Sequence, residues 1–514
     1  MNTKTIARNT AWYGLENVIG FLASLITSIA IARTLGPSKM GYLVYVTWVV
    51  GIASTLGGVG IPATTRKYMA EFLGGGDRAT ARFIFFRTLT IQTILATGAT
   101  VLAVIWVFHD APPEFRIASL LLVLSMWPAM INYIPAQANV AAEQLSANLA
   151  GSAVSTAVFF VMIVLTVFFH WGIIGIASAM LGMRVADCLV RLIPTMRRFL
   201  AWPSDNIHTP PDLRPRMMRF ALQSVMGLLL TLIVWDRSEL FLLRHLSPDI
   251  RQLAFYSVAF NLAERLLVFP SVFASASGAS VFAQYGRDRS RLPAMTASSV
   301  RYLALISIPL HIIAVSLAGP ALLTLYGVKY AGAIVVATVS PLLCLPKAFL
   351  GPIQSLFEST ERQKYFIVTT VIASFIDIGV AWYLIPTHGA LGACLGSGAA
   401  QFTAIGLMWT IGIYRDNIRL PWRFLAKITM ISIAASVAAY AVSFRLVPVW
   451  ALIAGGTVAT VTFFLLAYTF KILEPEDSSR FKIISAACPR ALAVPMNRAF
   501  DMLTKRMEPD STAV

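Results

Sequence analysis

Apolar runs of about twenty residues recur along the whole chain, and they constrain the fold more than any other feature of the sequence. A run of that length, wound as an α-helix, crosses a bilayer core that is ~30 Å thick. Fourteen such runs lie near residues 10–32, 40–62, 84–107, 117–141, 149–170, 172–194, 220–243, 253–279, 302–325, 333–357, 366–385, 390–413, 427–444 and 449–470.

The composition agrees with this interpretation. Only 13% of the residues are charged and the mean hydropathy is +0.72, whereas a typical soluble domain is about 25% charged. So few charges do not cover the surface of a soluble protein of this size. The sequence therefore predicts an all-α polytopic membrane protein with about fourteen transmembrane helices.

Basic residues are distributed unevenly between alternate loops. With the N-terminus placed in the cytoplasm, 30 of the 41 Lys and Arg residues fall on the cytoplasmic side, 7 on the opposite side and 4 inside spans. Cytoplasmic loops of membrane proteins carry such an excess. The pattern predicts a multi-pass protein of the inner (plasma) membrane with both termini in the cytoplasm. It also explains the net charge of +17 without nucleic acid, because no basic stripe is interleaved with aromatic residues.

Residues of the first half recur in the second half. Arg33, Leu35 and Pro37 match Arg244, Leu246 and Pro248, and Gly172 and Gly175 match Gly389 and Gly392. Six spans per repeat keep both repeats in the same orientation, so we expect two parallel six-helix lobes. Two such lobes are typical of transporters in which one lobe rocks against the other around a central substrate path.

The predicted organisation follows from this repeat. We expect an N-lobe over residues 1–200, a cytoplasmic linker over 201–219, a C-lobe over 220–414, two extra C-terminal helices over 415–470 and a cytoplasmic tail over 471–514. In the tail, "PMNRAFDMLTKRM" places apolar residues on one helical face. That pattern indicates an amphipathic helix on the inner leaflet, with a disordered tail as the alternative.

The first 75 residues resemble a known family. The stretches "IARTLGPSKMGYLVY" and "GGVGIPATTRKYMAEFLGGGD" look like the opening of Wzx-type polysaccharide-export flippases, which belong to the multidrug/oligosaccharidyl-lipid/polysaccharide exporter superfamily. The resemblance implies two six-helix lobes around a central cavity, often with two extra helices. It also implies that lipid-linked oligosaccharides are turned from the cytoplasmic to the outer leaflet for cell-surface polysaccharide biosynthesis.

Several charged residues lie within or beside the predicted spans. A charge at the bilayer centre costs about 2.5–3.5 kcal/mol on insertion scales, so such residues usually face a cavity or a charged partner. The candidates for substrate binding are the basic residues Arg33, Arg66, Arg184, Arg237, Arg265 and Lys347. The candidates for ion coupling or charge pairing are the acidic residues Glu16, Asp187, Asp236, Glu239, Glu264 and Asp377.

Their spacing leaves structural alternatives open. Arg184, Asp187 and Arg191 share one helical face. They form either a cationic wall or an internal ion pair, with Arg191 reaching the membrane interface. The trio Asp236, Arg237 and Glu239 either faces a cavity or forms a salt-bridge cluster between helices, and the same alternatives hold for Glu264 with Arg265.

The expected substrate determines the chemistry of the site. A polyprenyl pyrophosphate needs cations, because an unpaired anion in a low-dielectric cavity is prohibitive, and arginine binds phosphate through two parallel donors. No metal or organic cofactor is expected, and Glu16 is a candidate for coupling to a proton or sodium gradient. The expected partners are the lipid-linked glycan, membrane lipids and other glycan-assembly proteins, without nucleic acid.

Two other functions compete with the flippase. The first is a cation-coupled multidrug and toxin extruder of the same superfamily. The second is a membrane glycan polymerase or ligase, which is disfavoured because the sequence has no large outer loop, metal-ligand cluster, nucleophile elbow or P-loop. We therefore predict that the chain is not an enzyme.

Overall fold

The computed structural model describes residues 3–204, 207, 210–235, 238–268, 270–271, 281, 284–285 and 288–472. The tail over 471–514 falls almost entirely outside these ranges, so its amphipathic helix remains a prediction. The described part of the chain is helical and contains no β-strand. A helix satisfies its own backbone N–H and C=O groups, as a segment surrounded by lipid requires.

The described residues divide into two compact units. The first unit comprises Ile26–Phe255 and Ile385–Gly389. The second comprises the N-terminal residues up to Leu25, then Tyr256–Leu384, and the chain from Ala390 onwards. The domain limits predicted from the sequence repeat stay a prediction.

The first unit contains long apolar helices together with several shorter ones. The helices are α1 (Thr3–Gly57, whose start belongs to the second unit), α2 (Ile61–Gly74), α3 (Arg78–Asp110), α4 (Arg116–Leu124), α5 (Met126–Ala141), α6 (Leu145–Phe168), α7 (Gly172–Leu200), α8 (Leu213–Trp235) and α9 (Glu239–Leu246). Helix α10 (Arg251–Glu264) begins at the end of this unit and continues into the next.

The second unit contains the longest apolar helices of the C-terminal half. They are α11 (Leu292–Tyr326), α12 (Ile334–Cys344), α13 (Leu350–Ser359), α14 (Gln363–His388, which ends in the first unit), α15 (Ala390–Asp416), α16 (Trp422–Ser443) and α17 (Pro448–Thr469). Short 3-10 turns connect α11 to α12 and α12 to α13.

Eleven helical stretches of the described residues are long and apolar enough to cross a membrane. Ten of them match the predicted spans 84–107 to 172–194 and 302–325 to 449–470, one for one. The eleventh, Ala23–Gly57, overlaps both of the first two predicted spans, 10–32 and 40–62. The predicted spans 220–243 and 253–279 lie partly outside the described residues. The chain is therefore a polytopic helical membrane protein, and the count of fourteen remains a prediction.

The break between the first two predicted spans is a single residue. Helix α1 is interrupted at Gly36, whose φ of 69° and ψ of 173° are not helical. Glycine adopts a positive φ without the steric cost of a Cβ, and Pro37 lacks the N–H that would continue the helical hydrogen bonding. The sequence "LGP" therefore separates two helical segments at Gly36, between the first two predicted spans.

The repeated glycines share one backbone geometry. Gly172, which begins α7, has a φ of 60°, and Gly389, between α14 and α15, has a φ of 53°. A left-handed residue lets the chain reverse between two antiparallel helices with almost no loop. The sequence repeat thus corresponds to the same turn at both positions.

Other glycines allow close helix packing. A Cβ on Gly60 would lie 2.3 Å from the carbonyl oxygen of Ala221 in α8, and one on Gly396 would lie 2.8 Å from the Cβ of Ala381 in α14. Contacts of this kind are typical of small residues at membrane helix interfaces.

Candidate functional site

An ion pair lies inside the first unit, in the middle of α7. Nε of Arg191 is 2.9 Å from Oδ1 of Asp187, one helical turn earlier, and both side chains are largely buried. Asn132 of α5 donates a hydrogen bond to the other carboxylate oxygen at 2.7 Å. Arg191 also donates to the hydroxyl of Ser152 in α6 at 2.8 Å. Three helices therefore share one charged cluster, as expected for charges kept away from lipid.

Neutral polar groups extend this cluster along α7. Nδ2 of Asn139 lies 3.0 Å from the hydroxyl of Thr195, which donates back to Oδ1 of Asn139 at 3.1 Å. Asn148 of α6 accepts from Asn139 at 3.2 Å and donates to the carbonyl of Ala136 at 3.0 Å. We call the whole set the α5–α7 polar seam: Asn132, Asn139, Asn148, Ser152, Asp187, Arg191 and Thr195.

Gly151 makes room for the ion pair. A Cβ at this position of α6 would lie 2.4 Å from Nε of Arg191 and 2.9 Å from Oδ1 of Asp187. These distances are too short for any side chain, so the backbone of α6 lies directly against the pair. The seam is consequently a tightly packed structural element.

Arg184 behaves differently from Arg191. It lies on the same helical face and near the middle of the same span, but its side chain is exposed on the surface of the first unit. The ion pair on this face joins Asp187 to Arg191, one turn further along α7. The exposed cation of this face is Arg184, which is free of the seam's packing constraints.

The second unit contains another intramembrane charge pair. Nζ of Lys347 donates to Oε1 of Glu264 at 3.1 Å, and about a quarter of each side chain is exposed. Lys347 lies in the 3-10 turn that joins α12 to α13, where Pro346 interrupts the helix. The neighbouring Arg265 donates to the hydroxyl of Ser24 at 2.8 Å. Glu264 therefore pairs with Lys347, 83 residues away in the chain.

The remaining candidates are dispersed. Glu239 and Asp377 are each 1% exposed, at the start of α9 and within α14 respectively. Arg33 and Arg66 are exposed on α1 and α2. Glu16 lies in α1, while Asp236 and Arg237 fall outside the described residues. Within either unit, the structure brings together Lys347 with Glu264, and Asp187 with the neighbouring Arg191, but not the whole set.

Glu71, which lies in the family-like stretch "GGVGIPATTRKYMAEFLGGGD", pairs with a residue far along the chain. Its carboxylate lies 2.9 Å from a guanidinium nitrogen of Arg216, near the start of α8. The hydrogen bond and charge of Glu71 raise the pKa of Arg216. Both residues are exposed, so this pair contributes little to stability. It nevertheless joins α2 to α8 at the basic end of the first unit.

The side chains that surround the Asp187–Arg191 pair were not among the residues predicted from the sequence. Asn132 and Asn139 are seven residues apart, and they are polar within a predicted apolar span. That spacing places both on one face of α5, so they could have been recognised as an interhelical polar face. Ser152 and Gly151 gave no comparable signal, because small residues are common throughout membrane helices.

The arrangement defines a class of protein: a helical membrane protein whose charges are concentrated at a few points inside the spans. No curated protein sequence matches the chain. Residues 6–285 match the family model described as "Polysaccharide biosynthesis protein". Because this match covers more than half of the chain, the protein belongs to that family.

Solved structures share the fold at low sequence identity. The lipid II flippase MurJ in an inward closed conformation aligns with a TM-score of 0.69 and 12% identity, over 89% of this chain and 98% of MurJ. An inward-facing multidrug resistance transporter of the MATE family aligns at 0.64 and 16%, over 77% and 94%. A MOP superfamily transporter from Pyrococcus furiosus aligns at 0.55 and 14%, over 80% and 94%. The fold is therefore that of MOP-superfamily transporters.

Proposed function

We propose that the protein flips a polyprenyl-(pyro)phosphate-linked oligosaccharide from the cytoplasmic to the outer leaflet of the inner membrane, by alternating access. Membership of the polysaccharide biosynthesis family supports a glycan substrate over a drug. MurJ, with which the fold is shared, is itself named a lipid II flippase. Both termini lie in the cytoplasm in this proposal, and the chain acts without catalysing a covalent step.

The exposed guanidinium of Arg184 is the observation that carries the proposal. A cation in the middle of a span is costly unless water or an anion solvates it. Arg191 and Asp187 neutralise each other, whereas Arg184 is exposed on the same helix. An anionic group that enters the membrane with its lipid, such as a pyrophosphate, can approach the exposed Arg184, and arginine can bind it through two hydrogen bonds.

Other basic residues also contribute to substrate binding in this proposal. Lys347 contributes positive charge from the second unit but shares it with Glu264. Arg33, Arg66, Arg237 and Arg265 are further candidates along the substrate path. A proton or sodium gradient drives the cycle, and Glu16, Asp236 and Asp377 are candidates for the coupling site.

The test is a substitution series at Arg184 in a strain that depends on this transporter. Arg184→Ala should strongly reduce export, Arg184→Glu should abolish it by repelling phosphate, and Arg184→Lys should keep part of it, because charge remains while the two-pronged donor is lost. The readout is accumulation of unflipped lipid-linked glycan, measured beside protein abundance and thermal stability.

A matched control uses Arg219, an exposed arginine of α8 outside the predicted spans. Arg219→Ala should export normally. If Arg184→Ala, Arg237→Ala and Lys347→Ala each export normally at wild-type abundance, the cationic mechanism is wrong. Extrusion of a cationic drug without any defect in glycan export would replace the flippase with the multidrug alternative.

A further inference from the structure

A small basic cavity lies beside the first turns of α3, in the first unit. Its volume is about 320 Å³, and its lining includes Arg82, Phe83, Phe86, Arg87, Thr90 and Ser204. Two arginines, two hydroxyl-bearing residues and two phenylalanines therefore line one pocket. The proposed transport function makes no use of this pocket.

Arg82 is held in a defined position. Its guanidinium donates to the backbone carbonyl of Trp202 at 2.6 Å. The Trp202 ring packs against Phe199 with centroids 4.5 Å apart, and Phe199 packs against Phe85 at 4.6 Å. The bond to Trp202 uses one of the five N–H donors of the arginine. The pocket therefore contains a preorganised cation rather than a flexible surface side chain.

The pocket lies where α3 is expected to leave the hydrocarbon. Helix α3 has 33 residues, so it is about 50 Å long, whereas the bilayer core is ~30 Å thick. Its first turns therefore reach the depth of lipid headgroups. The start of the helix is already capped within the chain, because the side chain of Asp77 accepts a hydrogen bond from the N–H of Thr80.

An apolar stripe continues from the pocket along the same face of α3. Phe83, Arg87, Ile91 and Ile94 are spaced by four, four and three residues, which places them on one side of the helix. Phe83, Ile91 and Ile94 are exposed by 42%, 37% and 65%. Ile94 lies about 10 Å further along the axis than Arg87. A ligand that fills both features has an anionic end and an apolar chain.

We propose that this pocket binds the headgroup of an anionic phospholipid. The phosphodiester lies between Arg82 and Arg87, where arginine donors match the geometry of phosphate oxygens. An acyl chain lies along Ile91 and Ile94. Basic pockets between transmembrane helices are known to recognise lipid headgroups in this way. The lipid is a bound component of the membrane, distinct from the transported lipid.

The test measures lipid binding to the purified full-length chain in detergent. Dioleoylphosphatidylglycerol is titrated while retained adducts are followed by native mass spectrometry and unfolding by intrinsic fluorescence. The zwitterionic dioleoylphosphatidylcholine and inorganic phosphate are titrated in parallel. The double variant Arg82→Gln/Arg87→Gln is compared with Arg214→Gln/Arg219→Gln, which removes two exposed arginines of α8 and gives the same net charge.

Phosphatidylglycerol should give one retained adduct and raise the unfolding temperature of the wild-type chain and of the α8 control. Affinity should fall at least about tenfold in Arg82→Gln/Arg87→Gln, since each basic residue near an anionic lipid contributes about fivefold. Because Arg82 also holds Trp202, the single Arg87→Gln variant is measured too, and a severalfold loss is expected there. Equal binding by Arg87→Gln, or equal protection by phosphatidylcholine or inorganic phosphate, would overturn the assignment.

Discussion

Nε of Arg191 lies 2.9 Å from Oδ1 of Asp187 on α7, whereas Arg184, on the same face of that helix, remains exposed. Substitution by alanine is therefore expected to change the stability of the protein differently at the two positions. Arg191→Ala leaves a buried carboxylate without its cation, which typically costs about 3–5 kcal/mol of folding free energy. Arg184→Ala removes an exposed side chain that is not packed into the seam, and it should change stability by less than about 0.5 kcal/mol.

The measurement is thermal unfolding of both variants in the same detergent. We expect a clear loss of stability for Arg191→Ala and a wild-type unfolding temperature for Arg184→Ala. The double variant Arg191→Ala/Asp187→Asn, which removes both charges, should recover much of the lost stability. Equal stability of the two single variants would contradict the division of roles on α7.

The close approach of Gly151 to this ion pair leads to a second prediction. Gly151→Ala places a methyl group 2.4 Å from Nε of Arg191, so α6 and α7 must separate or the pair must shift. Overpacking of this kind costs about 1–3 kcal/mol. In the Arg191→Ala background the same change should cost much less, because the colliding side chain is gone.

Gly98 provides the control for that change. It lies within α3, and a Cβ there meets no atom within 4 Å. Gly98→Ala should leave the unfolding temperature unchanged or raise it slightly, because alanine has the higher helix propensity. A stable Gly151→Ala variant would show that the seam is more loosely packed than its distances indicate.

Substitutions in the pair of Lys347 and Glu264 can distinguish a structural role of Lys347 from a role in transport. Lys347→Met leaves Glu264 without the partner it has at 3.1 Å, so we expect a loss of stability of about 1–3 kcal/mol. Lys347→Met/Glu264→Gln replaces both charges with neutral groups of similar size and should recover the stability. If Lys347 also binds the substrate anion, this double variant remains deficient in export.

Lys329 is the comparison residue, because it is exposed and lies outside the predicted spans. Lys329→Met should affect neither stability nor export. Full export by the Lys347→Met/Glu264→Gln variant would show that the pair acts only in folding, and Lys347 would then be removed from the candidate substrate site.

Membrane orientation can be tested by cysteine labelling. Ser204 and Ser290 are exposed in the part of the chain that the structure describes, as is Lys329. Cysteines at the two serine positions should react with an impermeant maleimide only from the cytoplasm, and one at Lys329 only from outside. The hydroxyl and the backbone N–H of Ser290 donate hydrogen bonds to Asp288 and hold the pKa of its carboxyl below its usual range. The backbone N–H remains when Ser290 is replaced by cysteine, so this contact is kept in part.

The native cysteines require one change of background. Cys188, Cys344 and Cys394 are buried, so they should not react in the folded protein, while Cys488 lies outside the described residues and is replaced by serine. Labelling of position 290 from outside would contradict the proposed topology. Labelling of all three sites from one side would indicate that the reagent crosses the membrane. Permeabilised cells, in which the reagent reaches both sides, serve as the reference.

The sequence predicted the helical architecture well, because each span must be apolar over about twenty residues whatever it packs against. It also placed Arg184, Asp187 and Arg191 on one face of a helix. It could not say which arginine pairs with Asp187, because the choice depends on Asn132 and Ser152, which lie 55 and 35 residues away in sequence on α5 and α6. The pairing of Lys347 with Glu264 was missed for the same reason.

The break between the first two spans could be predicted from the sequence. "LGP" signals a break, and the non-helical φ and ψ of Gly36 separate two helical segments within α1. The angle between those segments could not be predicted, because it depends on the residues against which each segment packs.

The left-handed glycines Gly172 and Gly389 have a consequence for how such a chain can change over time. A residue inside a lipid-facing span can be exchanged among Leu, Ile, Val and Phe with little effect, so the two halves can diverge there freely. Exchange of a glycine with positive φ at a short turn is more costly, because a Cβ there adds about 1–2 kcal/mol. After a duplication, the turns therefore preserve the common origin of the halves long after the helices between them have lost it.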